Sequence, residues 1–487
     1  MNFIKTVAIC GYLASFAFSV SAGPSFTVTY ELPKKQLEFT PRVYVLLTQT
    51  EGAPAAHIDN WFKLPIICAV DDLKRFGQVT IDAESTSNVS LDQLSGEYNA
   101  QAIVRLSPDW PVPGKGTGDL LSEPKKISIK QGDTPLFEFQ ASDVVSAPEF
   151  RNKGRIQDHY FRSQKLSTFH ERDYNMRYSV ILPEDWSAEK KYPVIVYIVG
   201  FGGVHHQATA RVDRFIAKNC KDAVIVIPDA NCRWGHSAFA DSATNGPWGS
   251  ALIDELLPHI DQKYAGAGAD HRYVTGASSG GWASLWLAVK YPQSFRGCWA
   301  VAPDPVDFRL FQEIKLADDI DDNLFTEENG DARLLSIDRL GLTYQKFASY
   351  EKALGPGGQL KSFAAAFSPL DDKGSPIPWY DETTGAISKD LYQTWEPYDI
   401  SRHLKKNWTK LKPDLQGKIH IMVHEQDLFL LNFSVQQLEK TCKQLGSDAS
   451  FSYFSGRGHH MPLSASKAMT ATITEQWENR AKEKPKQ

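Results

Sequence analysis

The stretch Arg272-Tyr-Val-Thr-Gly-Ala-Ser-Ser-Gly-Gly-Trp-Ala-Ser-Leu-Trp-Leu-Ala-Val-Lys290 joins a short β-forming run to a helix-forming one. The joint is Gly276-Ala277-Ser278-Ser279-Gly280-Gly281, a G-x-S-x-G with a strand expected over Arg272–Thr275 before it and a helix near 281–290 after it. A chain that turns this sharply crowds its central residue. Glycines two positions before and two after relieve that crowding, and Ser278 is presented above the sheet at a helix N-terminus.

Outward from this joint, apolar strand-like runs alternate with helical stretches. Strands are expected at 192–199, 223–228, 272–275, 297–302, 418–424 and 450–455, and helices near 209–219, 250–263, 281–290 and 434–445. This alternation predicts an α/β protein with a mostly parallel, doubly wound sheet. The connection from 305 to 416 is far longer than an ordinary crossover and reads as a lid or other insertion. It carries Trp379, Tyr380, Trp395 and Tyr398, suited to a substrate cleft or to core packing.

Residues 23–145 have a different texture, with runs such as Val43-Tyr-Val-Leu-Leu47 and Ala102-Ile-Val-Arg105 between turn-rich stretches, and predict a small antiparallel β-sandwich. Residues 146–174 read as a linker, and 175–304 and 417–487 as the two parts of the α/β core. Lys5, the apolar run 7–19 and the small residues Val20-Ser21-Ala22 read as a signal peptide over 1–22, so a secreted or periplasmic protein is expected. That run falls short of a membrane span.

A serine alcohol needs a histidine to take its proton and an acid to orient that histidine. After the 418–424 run comes Glu425-Gln426-Asp427, and after 450–455 comes Gly456-Arg457-Gly458-His459-His460. The order Ser, acid, His is the one this strand pattern requires. We expect Ser278 as nucleophile, Asp427 as acid and His459 as base, with His460 the alternative base and Glu425 and Asp304 the alternative acids. The tetrahedral intermediate needs backbone donors, expected from Ser279 and from Phe201 or Gly202 in the glycine loop 200–203.

The formal charge of −5 becomes −6 without Lys5, with both signs mixed along the chain, so nucleic acid is not an expected partner. Five cysteines remain beyond residue 22, an odd number, and a Cys220–Cys232 bridge and buried free thiols both fit their placement. No metal-ligand spacing appears. The adjacent His205 and His206 and the acidic run 318–322 read as structural and solvated residues, and neither metal nor organic cofactor is expected.

Asn245-Gly-Pro-Trp-Gly-Ser-Ala-Leu-Ile-Asp-Glu-Leu-Leu-Pro-His-Ile260, followed by Gly276–Gly281, resembles the esterase family of α/β-hydrolases that includes esterase D, feruloyl and acetylxylan esterases and enterochelin esterases. The resemblance covers roughly 175–300 and 415–465. It implies the α/β-hydrolase fold, a carboxylic ester hydrolase without cofactor, and the roles of Ser278, Asp427 and His459. The doubled histidine, the 305–416 insertion and the N-terminal segment depart from the family pattern. They leave open a small-molecule or polysaccharide-linked ester as substrate. A non-catalytic binding protein on this scaffold and an acyltransferase are the alternative readings.

Overall fold

A computed structural model describes residues 23–480 apart from 34–38, 61–62, 72–75, 317–321, 338–340 and 389. The expected signal segment and most of the acidic run at 318–322 lie outside the described residues.

The dominant element is an eight-stranded sheet. We number its strands β1 (Ile156–Arg162), β2 (Asn175–Ile181), β3 (Val194–Ile198), β4 (Val224–Pro228), β5 (Arg272–Ser278), β6 (Gly297–Pro303), β7 (Ile419–Asp427) and β8 (Ser450–Gly458). Their spatial order is β1-β2-β4-β3-β5-β6-β7-β8. β1 and β2 join antiparallel, and every pair from β4 onward is parallel. The six strands expected from sequence are all present within a few residues.

The expected linker at 146–174 needs correction, because it contains β1 and a helix over Gln164–Phe169. As an edge strand, β1 buries only Asp158 among half-buried and exposed residues and lacks the continuous apolar run that marks the inner strands. Helices cover both faces. Among them are α1 (His205–Phe215), α2 (Ser279–Lys290), α3 (Tyr344–Leu354), α4 (Gln359–Phe367) and α5 (Asn432–Leu445).

The N-terminal residues form two sheets around a shared core. One is three-stranded, with Ser25–Glu31 between Phe76–Ile81 and Leu136–Ala141; the other is built on Gly96–Arg105, Arg42–Thr48 and Ile66–Val70. The pairing is not wholly antiparallel, since Ser25–Glu31 runs parallel to Leu136–Ala141. Val43, Val45 and Leu47 face the shared core, whereas Tyr44 and Leu46 alternate to the other face. That second face packs on Tyr350, Ala353 and Leu354 of α3. Tyr44 donates its hydroxyl to the Leu354 carbonyl at 2.9 Å, and Arg105 donates to the carbonyls of Pro356 (2.5 Å) and Arg233 (3.0 Å).

The segment between β6 and β7 holds α3, α4 and a helix over Ile400–Leu415. Trp379, Tyr380 and Trp395 are buried with Phe308, Phe311 and Phe367 in the main core, so they pack and do not line a cleft. Tyr398 is half-buried and donates its hydroxyl to the Asp241 carbonyl at 2.8 Å.

Candidate active site

β5 ends on Ser278, which has φ 59° and ψ −128°, and α2 begins at the next residue. A non-glycine residue in this region carries backbone strain on the order of 1–3 kcal/mol, sustained only where the surroundings over-determine it. Here the backbones close in from both sides. A Cβ on Gly276 would lie 2.4 Å from the Gly280 carbonyl oxygen, and one on Gly280 would lie 2.2 Å from that of Ile198. The two motif glycines are therefore required by close approach, and together they hold the serine in its strained turn.

The acidic and basic candidates come from the ends of β7 and β8. Asp427 is fully buried, and its Oδ2 lies 2.9 Å from His459 Nδ1. Its Oδ1 accepts the backbone N–H groups of Phe429 at 2.9 Å and Leu431 at 3.4 Å, which fixes the carboxylate plane. With Nδ1–H donated to Asp427, the imidazole presents the Nε2 lone pair, the form a general base needs. Phe429 and His459 pack in a T-shaped arrangement with 4.8 Å between centroids.

His460 is exposed and packs instead against buried His424, with centroids 4.8 Å apart. Burial, with the neighbouring His424, Arg211 and His459, holds its pKa below the ordinary histidine value. Glu425 is exposed on the strand. Of the residues the sequence offered, only Asp427 and His459 are brought together as an acid–imidazole pair.

The third acidic candidate, Asp304, stands one residue past β6. Its Oδ1 accepts the Ser278 hydroxyl at 3.2 Å and its Oδ2 accepts the Ser279 hydroxyl at 2.5 Å. Gln359, at the start of α4, donates its amide to Asp304 Oδ2 at 3.3 Å and to Ser279 Oγ at 3.2 Å. Burial pushes the Asp304 carboxyl up to about 6. Sequence reading considered Asp304 only as a partner for histidine, and nothing in the sequence flags Gln359.

The glycine loop after β3 lies against the serine turn. A Cβ on Gly200 would meet the Ser278 Cβ at 3.2 Å and the Ala277 carbonyl oxygen at 2.9 Å. Phe201 and Gly202 follow, with Gly202 at φ +73°. The loop is tied at both ends by residues that sequence reading missed. His236 donates Nε2–H to the Val199 carbonyl at 2.9 Å while its Nδ1 accepts from Ala238, and Asn231 donates its amide to the Gly203 carbonyl at 2.7 Å. Asn231 is held by Asp229 at 2.6 Å, and Asp229 by Arg177 at 2.8 Å and by His205 at 3.2 Å. The Arg177 guanidinium and His205 overcome the burial of Asp229 and hold its carboxyl far below the usual range. His205 is thus part of a buried hydrogen-bonded cluster. No group of three or more His, Cys, Asp or Glu side chains suited to a metal ion occurs among the described residues.

Cys220 and Cys232 are both buried and unbridged, as are Cys68, Cys298 and Cys442. The two sit in separate parts of the core on opposite faces of the sheet, which is why the bridge their spacing allowed is not made. No described helix is long and apolar enough to cross a membrane.

The family model described as "Putative esterase" matches residues 170–462, more than half of the chain. Among curated proteins, dipeptidyl-peptidase 5 of Aspergillus fumigatus is 30% identical over 113 residues, which are 22% of this chain and 16% of that protein. The chain thus matches well under two thirds of the length of this relative. Among solved structures, a ferulic acid esterase has 18% identity and a TM-score of 0.43, covering 67% of this chain and 99% of its own. An S-formylglutathione hydrolase from Agrobacterium tumefaciens has 16% identity and a TM-score of 0.39, covering 69% of this chain and 98% of its own.

Proposed function

This chain belongs to the esterase family of α/β-hydrolases, and from that membership we propose that it is an exported serine hydrolase that cleaves a carboxylic ester through an acyl-enzyme. Ser278 is the nucleophile, His459 the base and Asp427 the acid. The observation that carries this reading is the Asp427–His459 pair at 2.9 Å, with its carboxylate fully buried, in a chain whose Ser278 is held at positive φ between a strand and a helix.

In the first half-reaction the Ser278 hydroxyl turns to His459 Nε2 and its oxygen bonds the ester carbonyl carbon as the proton passes to the imidazole. The amides of Ser279 and of Phe201 or Gly202 receive the oxyanion, and the loop ties from His236 and Asn231 keep the second donor in place. The imidazolium, held by Asp427, returns the proton to the departing alcohol. Water then repeats the sequence on the acyl-enzyme and frees the acid. The segment 305–416 covers the site as a lid, reaching the serine turn through Gln359. The N-terminal residues act as a β-sandwich module that braces this lid through α3. Export rests on the signal-like residues 1–22.

The test is labelling of the purified protein with a fluorophosphonate probe, alongside turnover of small acyl esters. Wild type is expected to label and turn over, and Ser278→Ala to do neither while keeping its thermal transition. Ester turnover that survives in Ser278→Ala would refute the assignment.

A further inference from the structure

Asp304 is a buried carboxyl beside the nucleophile for which the Asp427–His459 pair leaves no task. Its two oxygens are spoken for on different sides: Oδ1 by the Ser278 hydroxyl at 3.2 Å, Oδ2 by the Ser279 hydroxyl at 2.5 Å and the Gln359 amide at 3.3 Å. Ser278 and His459 share no hydrogen bond. A hydroxyl has one proton to give, and while Asp304 accepts it the His459 imidazole cannot.

We propose that Asp304 is a positioning residue that holds the Ser278 hydroxyl in a resting orientation, turned away from His459, and that reaction begins only when the hydroxyl swings to the imidazole. This rests on the reading of Ser278 as nucleophile and His459 as base. The swing exchanges one hydrogen bond for another and breaks no covalent bond. The proton then passes to Nε2 as the serine oxygen bonds the acyl carbon.

An ionised carboxylate grips the hydroxyl more strongly than a neutral carboxyl, and it opposes the negative charge that develops on the serine oxygen. The groups that face Asp304 come from every neighbouring element. Ser278 and Ser279 belong to the serine turn, Gln359 to α4 and Tyr344 to α3; His236 lines the same small cavity, and His459 and Asp427 act on the carboxyl through their charges. Burial raises the Asp304 carboxyl to about 6, against the pull of the Ser279 hydroxyl and the His459 imidazole. Burial holds His236 down to about 4, so it adds no charge at higher pH. The grip is therefore strongest above about pH 6 and relaxes below it.

Asp304→Asn separates this role from a merely structural one. Ser279 and Gln359 both donate toward Oδ2, so the amide oxygen of the asparagine takes that side and its NH2 group faces Ser278. A donor then stands where an acceptor stood, and the serine proton is free to point at His459. The measurement is the rate of fluorophosphonate labelling of wild type and Asp304→Asn between pH 5 and 9, expressed as the ratio of variant to wild type at each pH. The expected ratio of variant to wild type is near one at pH 5 and rises to about tenfold above pH 7. A ratio that is flat with pH, or a variant slower throughout, overturns the proposal.

Ser279→Ala supplies a second reading should Asp304→Asn not fold. It removes a donor that lowers the Asp304 carboxyl, so the Asp304-linked break in the labelling profile is expected at higher pH than in wild type. An unmoved break counts against the proposal. Wild type that shows no Ser278-dependent labelling at any pH would instead remove the premise, and the proposal with it.

Discussion

Two adjacent histidines follow β8, and their side chains part company at the backbone. His459 turns inward to a carboxylate fixed by two backbone amides, and His460 turns outward to pack against His424. The pair thus offers an internal control. His459→Ala is expected to lower kcat for a small ester by about a thousandfold or more, because the serine loses its proton acceptor. His460→Ala is expected to stay within a few-fold of wild type. Steady-state kinetics on the two variants decides between them, and a reversed order would move the base to His460. The two histidines as candidates were legible in the sequence; which of them meets a carboxylate depends on where Asp427, 32 residues away, places its side chain.

At the scale of the element, the strand Arg42–Thr48 is instructive. Six of its seven residues are buried, the pattern of a strand covered on both faces, whereas a two-sheet module standing alone would leave every second residue to water. The uninterrupted run Val43-Tyr-Val-Leu-Leu47 was therefore a sign of a second covering layer. The sequence could not say which segment supplies it. The cover is α3, some 300 residues later, whose Tyr350, Ala353 and Leu354 complete a small core with Tyr44 and Leu46. Ala353→Asp places an unpartnered carboxylate in that fully buried interface and is expected to destabilise the protein by more than about 2 kcal/mol. The expected readouts are a lowered melting temperature and new proteolytic cuts within 305–416. An unchanged digestion pattern would mean that the N-terminal module does not brace this segment.

At the scale of the molecule, three buried carboxyls lie in or against the 305–416 segment. Burial raises Asp304 to about 6, Glu351 to about 7 and Asp399 to about 7. Glu351 accepts the N–H groups of Leu360 at 2.9 Å and Lys361 at 3.0 Å, and Asp399 accepts those of Phe308 at 2.8 Å and Arg402 at 3.0 Å. Each binds its proton more tightly in the folded chain than in the unfolded one. The stability they contribute is complete below the ordinary carboxyl range near 4 and declines as pH rises toward 7. Histidines whose pKa burial lowers act in the opposite sense, so the contribution of one carboxyl is read as a difference: the melting temperature of Glu351→Gln minus that of wild type is expected to rise between about pH 5 and 8. A difference that falls across this window would contradict the assignment.

The sequence by itself determined what is local or repeats with chain order: the six inner strands, the strained serine turn with its two close-packed glycines, and the succession of serine, acid and histidine. These follow from apolar periodicity and from backbone crowding among neighbours, both of which act within a few residues. Only the tertiary structure decided what depends on side chains that meet across the chain. It paired Asp427 with His459 and left His460 and Glu425 outside that contact, set Asp304 and Gln359 against the serine turn, tied the glycine loop through His236 and Asn231, and placed the edge strand β1 where a linker was expected. Each of those outcomes is fixed by a hydrogen bond or packing contact between distant segments, and such contacts leave no periodic trace in the residues on either side.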